Sequence, residues 1–368
     1  MEKMFDKVAI IGLGLLGGSL AKAMKAGGLA NEITGCGRTA QRLEYALKNG
    51  IADSVTNDPV ECVNDADFIV IGTPVGIIPD VIERISGKLR PGAVVTDLGS
   101  TKQYIVEKAE SAFPEGVYFV GSHPMAGSEN SGIEASDPLL FENALCVVTS
   151  STRTEMAALK KVETLWETLK CRVMVMTPQE HDFLVAAASH LPHIAAVSLC
   201  WTVSSLSEVS EKVMPLLAGG FRDTTRVASG SPEVWHDICD ANRDFIGDMI
   251  DSYIDKLGEV KKAIGSNDSG AMTDIFALAK KFRDEVPQRG IGALMSDYEL
   301  IVDVMDRPGI IGEVATALGA ESINIKNMNI QHIRELGGGT LLLVLEKEDD
   351  IGRAIEVLEK SGFKAKRK

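Results

Sequence analysis

Residues 6–17 read DKVAIIGLGLLG. A short apolar run turns on Gly12, and a glycine turn leading into an alanine- and leucine-containing stretch follows it. The spacing Gly12-x-Gly14-x-x-Gly17, with Leu13, Leu15 and Leu16 between, constrains the chain more than any other feature. Glycines at those places allow a tight strand-to-helix turn and a close backbone approach. The exposed N–H groups and dipole of the helix start then attract a pyrophosphate. In a strand–turn–helix setting the pattern predicts a dinucleotide-binding unit. That unit requires an α/β fold with a doubly wound parallel sheet.

The following residues keep that rhythm. Strands are expected at ITGCGR (33–38), DFIVIGTPV (67–75), AVVTDLGS (93–100), VYFVGSHP (117–124), ALCVVTS (144–150) and CRVMVMT (171–177). Helices are expected near 77–86, 103–112 and 153–169. Short apolar strands alternating with helices indicate a mostly parallel sheet covered on both faces. After Pro178 the pattern turns almost wholly helical, to about Gln288. QRGIGALMS (288–296) reads as a linker, and from Asp297 a β-α-β-β-α-β order appears, the split ferredoxin-like unit. The expected domains are 1–178, dinucleotide-binding; 179–290, helical, for dimerisation and substrate; and 297–368, the ferredoxin-like unit. A chain of 368 residues is long enough for two or three such cores.

The net charge of −14 disfavours non-specific nucleic-acid binding, though a few placed arginines still suffice to hold an anion. The six scattered cysteines show no C-x-x-C pair and read as reduced thiols of a cytoplasmic protein. No basic leader precedes the first strand. The apolar stretch VAAASHLPHIAAVSLCWTV (185–203) is interrupted by histidines, serines and a proline. It is expected to be a buried helix of a soluble protein, with no membrane contact. The long apolar helices around it suggest self-association into a homodimer.

The second strand of a dinucleotide unit ends in an acid when the ligand is NAD. Here it ends GCGRT, with no acid until Glu44, and Arg38 and Thr39 stand where a 2′-phosphate would be held. That reading leans to NADP+. The alternative is that Arg38 stacks on adenine and NAD+ binds.

Three strand ends offer polar groups at the edge where ligands bind: GTPV (72–75), with Thr73 and Pro74; LGSTK (98–102), with Ser100 and Lys102; and GSHPMAG (121–127), with His123. Ser100 and Lys102 are read as facing cofactor or substrate, with ordinary turn residues as the alternative. A core histidine does not need a stiff turn at a strand end, a setting that suits a titrating group; the alternative is a satisfied structural histidine. The helical region opens TPQEHDFLVAAASHLPH, clustering His181, Asp182, His190 and His193. It lacks an H-E-x-x-H frame, so no metal is expected. His181 has an alternative reading as a surface polar group at a capped helix start. GGFRDTTRVASG places Arg222, Asp223 and Arg226 beside glycines, as a carboxylate or phosphate clamp. The alternative there is a surface network in which Asp223 pairs with an arginine.

In order and approximate spacing, G-x-G-x-x-G, T-P-V, D-x-G-S-x-K, S-H-P-M-A-G-S-E, E-H-D…S-H-L-P-H and F-R-D-T-T-R resemble the prephenate dehydrogenase family over nearly the whole chain. The C-terminal unit resembles an ACT domain, with Asp306, Arg307, Pro308 and Gly309 in its effector loop. The resemblance implies oxidation of prephenate at its ring carbinol, hydride transfer to NAD+ or NADP+, loss of CO2 and formation of 4-hydroxyphenylpyruvate for tyrosine synthesis. It makes His123 the catalytic base, and Ser100 the residue holding the hydroxyl and nicotinamide. Arg226 would bind the ring carboxylate, and His193 would lie near the pyruvyl side chain. Glu129 and Asp223 would stand at the entrance, and Arg222 would add positive potential. Tyrosine is the implied effector. Arogenate is the alternative substrate, and a non-catalytic dinucleotide and amino-acid sensor the alternative of another class. A sensor has no use for a titrating base at His123 beside Ser100, His193 and Arg226.

Overall fold

The computed structural model describes residues 3–127, 132–207, 209–286, 298–305, 307–334 and 338–367. They form two compact units, 1–293 and 294–368.

The first unit begins with β1 (Phe5–Ile11), α1 (Leu15–Ala26), β2 (Ala30–Cys36), α2 (Ala40–Lys48), β3 (Ser54–Thr56), α3 (Pro59–Cys62) and β4 (Phe68–Ile71). It continues with α4 (Ile78–Ile85), β5 (Val94–Asp97), α5 (Gln103–Ala112) and β6 (Tyr118–Phe119). These six strands make one parallel sheet in the order β3-β2-β1-β4-β5-β6. The order reverses after β1, so a crevice opens at the carboxyl edge beside Gly12. Register aligns that edge: Ile11 pairs with Cys36 on one side and Ile71 on the other, and Ile71 pairs with Asp97. Strands reading VAII and FIVI are buried on both faces, with one apolar layer around Leu20, Met24 and Trp166 and a second around Ile78, Ile82 and Ile105. This is why they are continuous apolar runs without alternation.

Two departures from expectation shape the site. The run VYFVGSHP is not one strand. It leaves the parallel sheet after Val120 and re-enters as β7 (Ser122–Pro124) of a separate sheet with β8 (Leu145–Thr149) and β9 (Arg172–Met176), across α6 (Met156–Thr168). β7 pairs antiparallel with β8, and β8 parallel with β9. The cause is the buried Asp97 at the end of β5. Its Oδ1 accepts the Ser122 N–H at 3.2 Å and its backbone oxygen accepts the Ser122 hydroxyl at 2.6 Å, which turns the chain out of the sheet. His123 therefore lies within a strand, opposite Val147, and not at the end of one.

The helical part comprises α7 (Pro178–Val185), a π-helical turn (Ala186–His190), α8 (Leu191–Ser207), α9 (Gly219–Thr225), α10 (Pro232–Ala241), α11 (Arg243–Gly265) and α12 (Ser269–Glu285). The stretch expected to be a buried helix is buried only in small part within one chain. Pro178–Ser207 is long and apolar enough to cross a membrane by length and composition, and 28% of its most apolar window is buried. Trp201, Leu206, Phe276, Leu278 and Phe282 are exposed. Too few helices surround these faces within the chain to cover them.

The second unit contains β10 (Glu299–Met305), α13 (Ile310–Ala320), β11 (Ile325–Arg334), β12 (Gly338–Leu345), α14 (Asp349–Lys360) and β13 (Lys364–Arg367). Its antiparallel sheet has the order β11-β12-β10-β13, and Leu300, Val302, Leu341 and Leu343 meet Val314, Leu318 and Leu358 of the helices in its core. Gly309 takes a φ of 88° as the N-cap of α13, a conformation that favours glycine after Pro308. Arg307 bonds Glu313 with both guanidinium ends, at 2.7 and 2.6 Å. Asp306 lies outside the described residues.

Candidate active site

The three glycines of the first turn do different work. A Cβ on Gly12 would stand 2.5 Å from the Gly72 carbonyl carbon, and one on Gly17 would stand 2.1 Å from the Gly12 oxygen. Both are places where β1, α1 and the end of β4 touch. A Cβ on Gly14 meets nothing within 4 Å. Gly14 is also the N-cap of α1 and supplies no side-chain cap, so the first N–H groups of the helix, from Leu15, Leu16 and Gly17, face an open space. Leu13 is buried against Gly35. The Thr73 hydroxyl, after β4, is buried without a hydrogen-bond partner, and Pro74 follows it. A bare helix N-terminus with an orphaned hydroxyl beside it fits a dinucleotide phosphate. Arg38 and Thr39 are exposed just beyond β2, at the far end of the same edge.

Lys102 does not face this opening. It is fully buried, with its ammonium on the Asp97 carboxylate, and its stem passes Gly121 where a Cβ would be 3.1 Å from Cδ. Burial pushes the Asp97 carboxyl up, against the ammonium and the N–H groups of Gly99 and Ser122. The expectation that Lys102 contacts ligand is therefore corrected. It holds the strand-end loops together.

A cavity of about 240 Å³ lies beside this edge. One wall is Ser100, His123, Pro124, Met125 and Ala126; the other is Ser189, His190, Trp235 and Ile238. The second wall is drawn over the first by α10, whose Asp237 accepts the Gly76 N–H at 3.1 Å through Oδ2. Trp235 and Ile238 lie on that same helix. It starts where Ser231 caps Val234 ahead of Pro232.

Behind His123 stands a chain of hydrogen bonds. Its Nδ1 lies 2.8 Å from Nε2 of His181, and Nδ1 of His181 lies 2.7 Å from Oδ1 of Asp182. Thr177 and Pro178 start α7, which places His181 and Asp182 in its first turns. The Asp182 carboxylate accepts the N–H groups of Lys102 at 2.7 Å and Gln103 at 2.8 Å, capping α5, which has no side-chain cap of its own. An ionised carboxylate only accepts, so His181 carries its proton on Nδ1 and offers Nε2 as acceptor. His123 must then donate through Nδ1, which leaves its Nε2 lone pair free as a base. Burial, with the nearby His181, Lys102 and His190, holds the His123 imidazolium form well below its ordinary pKa, so the ring is neutral near pH 7. His181 is also lowered, chiefly by burial, although Asp182 opposes it. It is fully buried, which overturns its reading as a surface polar group.

His193 is buried and stacks on Trp235, with centroids 3.4 Å apart and planes at 13°. Arg222, Asp223 and Arg226 are exposed on α9 and the short turn after it. Glu129 lies outside the described residues. Sequence reading did not single out Trp235, Ser189, Ile238 or Asn242. Trp235 stands five residues past the quoted arginine stretch, and its aromatic side chain after a Ser-Pro helix start was the available signal.

Three family models match the chain in succession: the prephenate dehydrogenase nucleotide-binding domain over residues 20–175, the prephenate dehydrogenase dimerization domain over 177–278, and the ACT domain over 298–363. The chain is 36% identical to a prephenate dehydrogenase of Bacillus subtilis, over 98% of this chain and 97% of that one. It is similar to the crystal structure of prephenate dehydrogenase from A. aeolicus in complex with hydroxyphenyl propionate and NAD+, with a TM-score of 0.72 and 30% identity over 77% of this chain and 98% of that one. It is likewise similar to the Synechocystis arogenate dehydrogenase, with a TM-score of 0.68 and 28% identity over 76% of this chain and all of that one, 100%. The chain thus belongs to the prephenate dehydrogenase family of NAD(P)-dependent oxidoreductases and ends in an ACT domain.

Proposed function

We propose that this protein oxidises and decarboxylates prephenate to 4-hydroxyphenylpyruvate, in the synthesis of tyrosine. The observation that carries this reading is the neutral His123, backed by His181 and Asp182, opening on a cavity beside a dinucleotide-type helix start. NAD+ or NADP+, when bound, accepts the hydride. The chain's own residues do the rest. Ser100 and His123 receive the ring hydroxyl. His123 takes its proton on Nε2 as the carbinol hydrogen departs and the C–O bond becomes a carbonyl. The electron pair of the ring carbon–carboxylate bond then moves through the ring onto the carbonyl oxygen, which takes the proton back from Nε2 of His123, while CO2 leaves and the ring becomes an aromatic phenol. A base that is neutral near pH 7 and fixed in its acceptor tautomer suits that step. His181 and Asp182 are positioning residues.

Arg226 binds the ring carboxylate, and His193, flat on Trp235, bounds the side-chain end. Arg222 supplies positive potential, and Glu129 and Asp223 stand at the entrance. Gly12, Leu13, Gly14, Leu15, Leu16, Gly17, Thr73 and Pro74 hold the nucleotide. Arg38 and Thr39 meet its 2′ end, which the missing acid leaves open to either nucleotide. The exposed apolar faces of α8 and α12 are covered by a second copy of the chain, giving a homodimer. Tyrosine acts through the ACT domain loop Asp306, Arg307, Pro308 and Gly309, and the enzyme works in the cytoplasm.

The deciding experiment measures initial rates with prephenate and arogenate, each with NAD+ and NADP+, beside His123→Asn. Loss of a general base is expected to lower kcat by roughly 10²–10⁴-fold, with nucleotide affinity unchanged. Tight nucleotide binding without turnover of either substrate would point to a sensor.

A further inference from the structure

Asn242 sits between α10 and α11, buried, with its amide orientation dictated by its surroundings. Its Nδ2 lies 2.9 Å from the backbone oxygen of Asp182. A carbonyl oxygen only accepts, so the atom facing it is the NH2 group. The same nitrogen lies 3.2 Å from Nδ1 of His190. An amide NH2 has two hydrogens and no lone pair to offer. Nδ1 of His190 is therefore the acceptor, and the neutral ring carries its proton on Nε2. Burial lowers this histidine to about 4, so the neutral form prevails near pH 7. A proton on Nδ1 would oppose N–H to N–H.

The backbone brings this ring to the cavity. His190 closes the π-helical turn Ala186–His190, two residues before Pro192. Proline cannot donate to the preceding turn, and a π-turn absorbs the missing bond while turning side chains outward at a functional place. Ser189 and His190 line the cavity as a result, and His190 meets Trp235 edge-on at 5.9 Å.

Two imidazoles thus line one cavity in opposite tautomers. Asp182, through His181, makes His123 an acceptor. Asn242 makes His190 a donor. The described lining contains no carboxylate. We infer that the Nε2–H of His190 is a fixed donor to the 2-oxo oxygen of the substrate side chain, and that it selects a 2-oxo acid over the matching 2-amino acid. A keto oxygen accepts that hydrogen bond. An ammonium group in the same place carries only donors and leaves both partners unpaired. A site built to hydrogen-bond one group discriminates strongly against an analogue that cannot return the bond. This inference rests on the dehydrogenase reading and names the side chain that reading admits.

The test uses the full chain and compares kcat/KM for prephenate and arogenate in wild type, His190→Phe, His190→Gln and Asn242→Asp. Wild type is expected to prefer prephenate by about tenfold or more. His190→Phe should lower that ratio at least about tenfold, with the loss falling on prephenate. His190→Gln, whose amide can still donate, should retain most of the ratio. Asn242→Asp offers an acceptor to Nδ1, so it should invert the tautomer and move the ratio as His190→Phe does. Nitrogen-15 spectra of histidine-labelled protein should show the Nε2–H tautomer at His190 in wild type and its inversion in Asn242→Asp. A folded His190→Phe with both substrates reduced equally would overturn the inference while leaving the dehydrogenase reading intact. So would a wild type that prefers arogenate. Absence of turnover with either substrate would overturn the dehydrogenase reading, and this inference with it.

Discussion

Nδ1 of His123 and Nε2 of His181 face one another at 2.8 Å, across the junction between the small mixed sheet and the first helix of the all-helical region. The contact joins residues 58 positions apart. It gives the strand histidine a direction as well as a place.

That direction depends on Asp182. In Asp182→Asn an NH2 group at the Oδ1 position faces both His181 and the Lys102 N–H, while the amide oxygen at the other position still receives the Gln103 N–H. His181 then accepts at Nδ1 and donates from Nε2, and the proton of His123 moves to the cavity side. The base is lost although the ring stays. The expected loss in kcat is roughly 10²-fold or more, well beyond what the modest fall in Tm from the lost Lys102 bond accounts for. Rates and melting curves measured together decide it. A parallel fall in both would mean that Asp182 serves only to cap α5.

The glycines of the first turn separate binding from folding. Gly12→Ala and Gly17→Ala place a Cβ 2.5 and 2.1 Å from backbone atoms, so each is expected to destabilise the first unit by about 1–3 kcal/mol. Gly14→Ala meets open space and should leave Tm in place while weakening the nucleotide, because its methyl occupies the phosphate approach. Melting curves with and without nucleotide read both effects. A Gly14→Ala protein that binds nucleotide as well as wild type would remove the phosphate from this helix start.

Acid should destabilise the first unit through its buried histidines. His123, His181 and His190 are all lowered by burial, His190 to about 4, from an unfolded value of about 6.5. As pH falls below that value the unfolded chain takes up protons first. The stability present above it is lost on the way down to about 4. For His190 alone the loss is about 2 kcal/mol by about pH 5. Thermal unfolding across that range should show the decline, and His190→Gln should flatten it. A wild-type Tm constant from about pH 7 to 5 would sink this account.

The ACT domain should carry the response to tyrosine. Removing residues 297–368, within the second compact unit, is expected to leave prephenate turnover and abolish inhibition by tyrosine. Inhibition that survives the truncation would move the effector to the substrate cavity.

The sequence by itself determined the dinucleotide unit, the helical region and the βαββαβ unit, because each rests on local period and turn chemistry. Gly12, Gly14 and Gly17 needed only their spacing after an apolar run. His123 stands out by the motifs around it, although the strand end expected for it is in fact the middle of a short strand. The tertiary structure alone decided what that base is attached to. Lys102 is drawn inward because Asp97, five residues away, is buried with it. The strand of His123 leaves the main sheet because the same carboxylate captures Ser122. His181, Asp182, His190 and Asn242 form one network only when α7, α10 and α11 pack beside α5. A proton's place on an imidazole is set by the partner of its other nitrogen. For His181 that partner is the adjacent Asp182, but for His123 and His190 it is named by the fold, from 58 and 52 positions away, where no local pattern reaches.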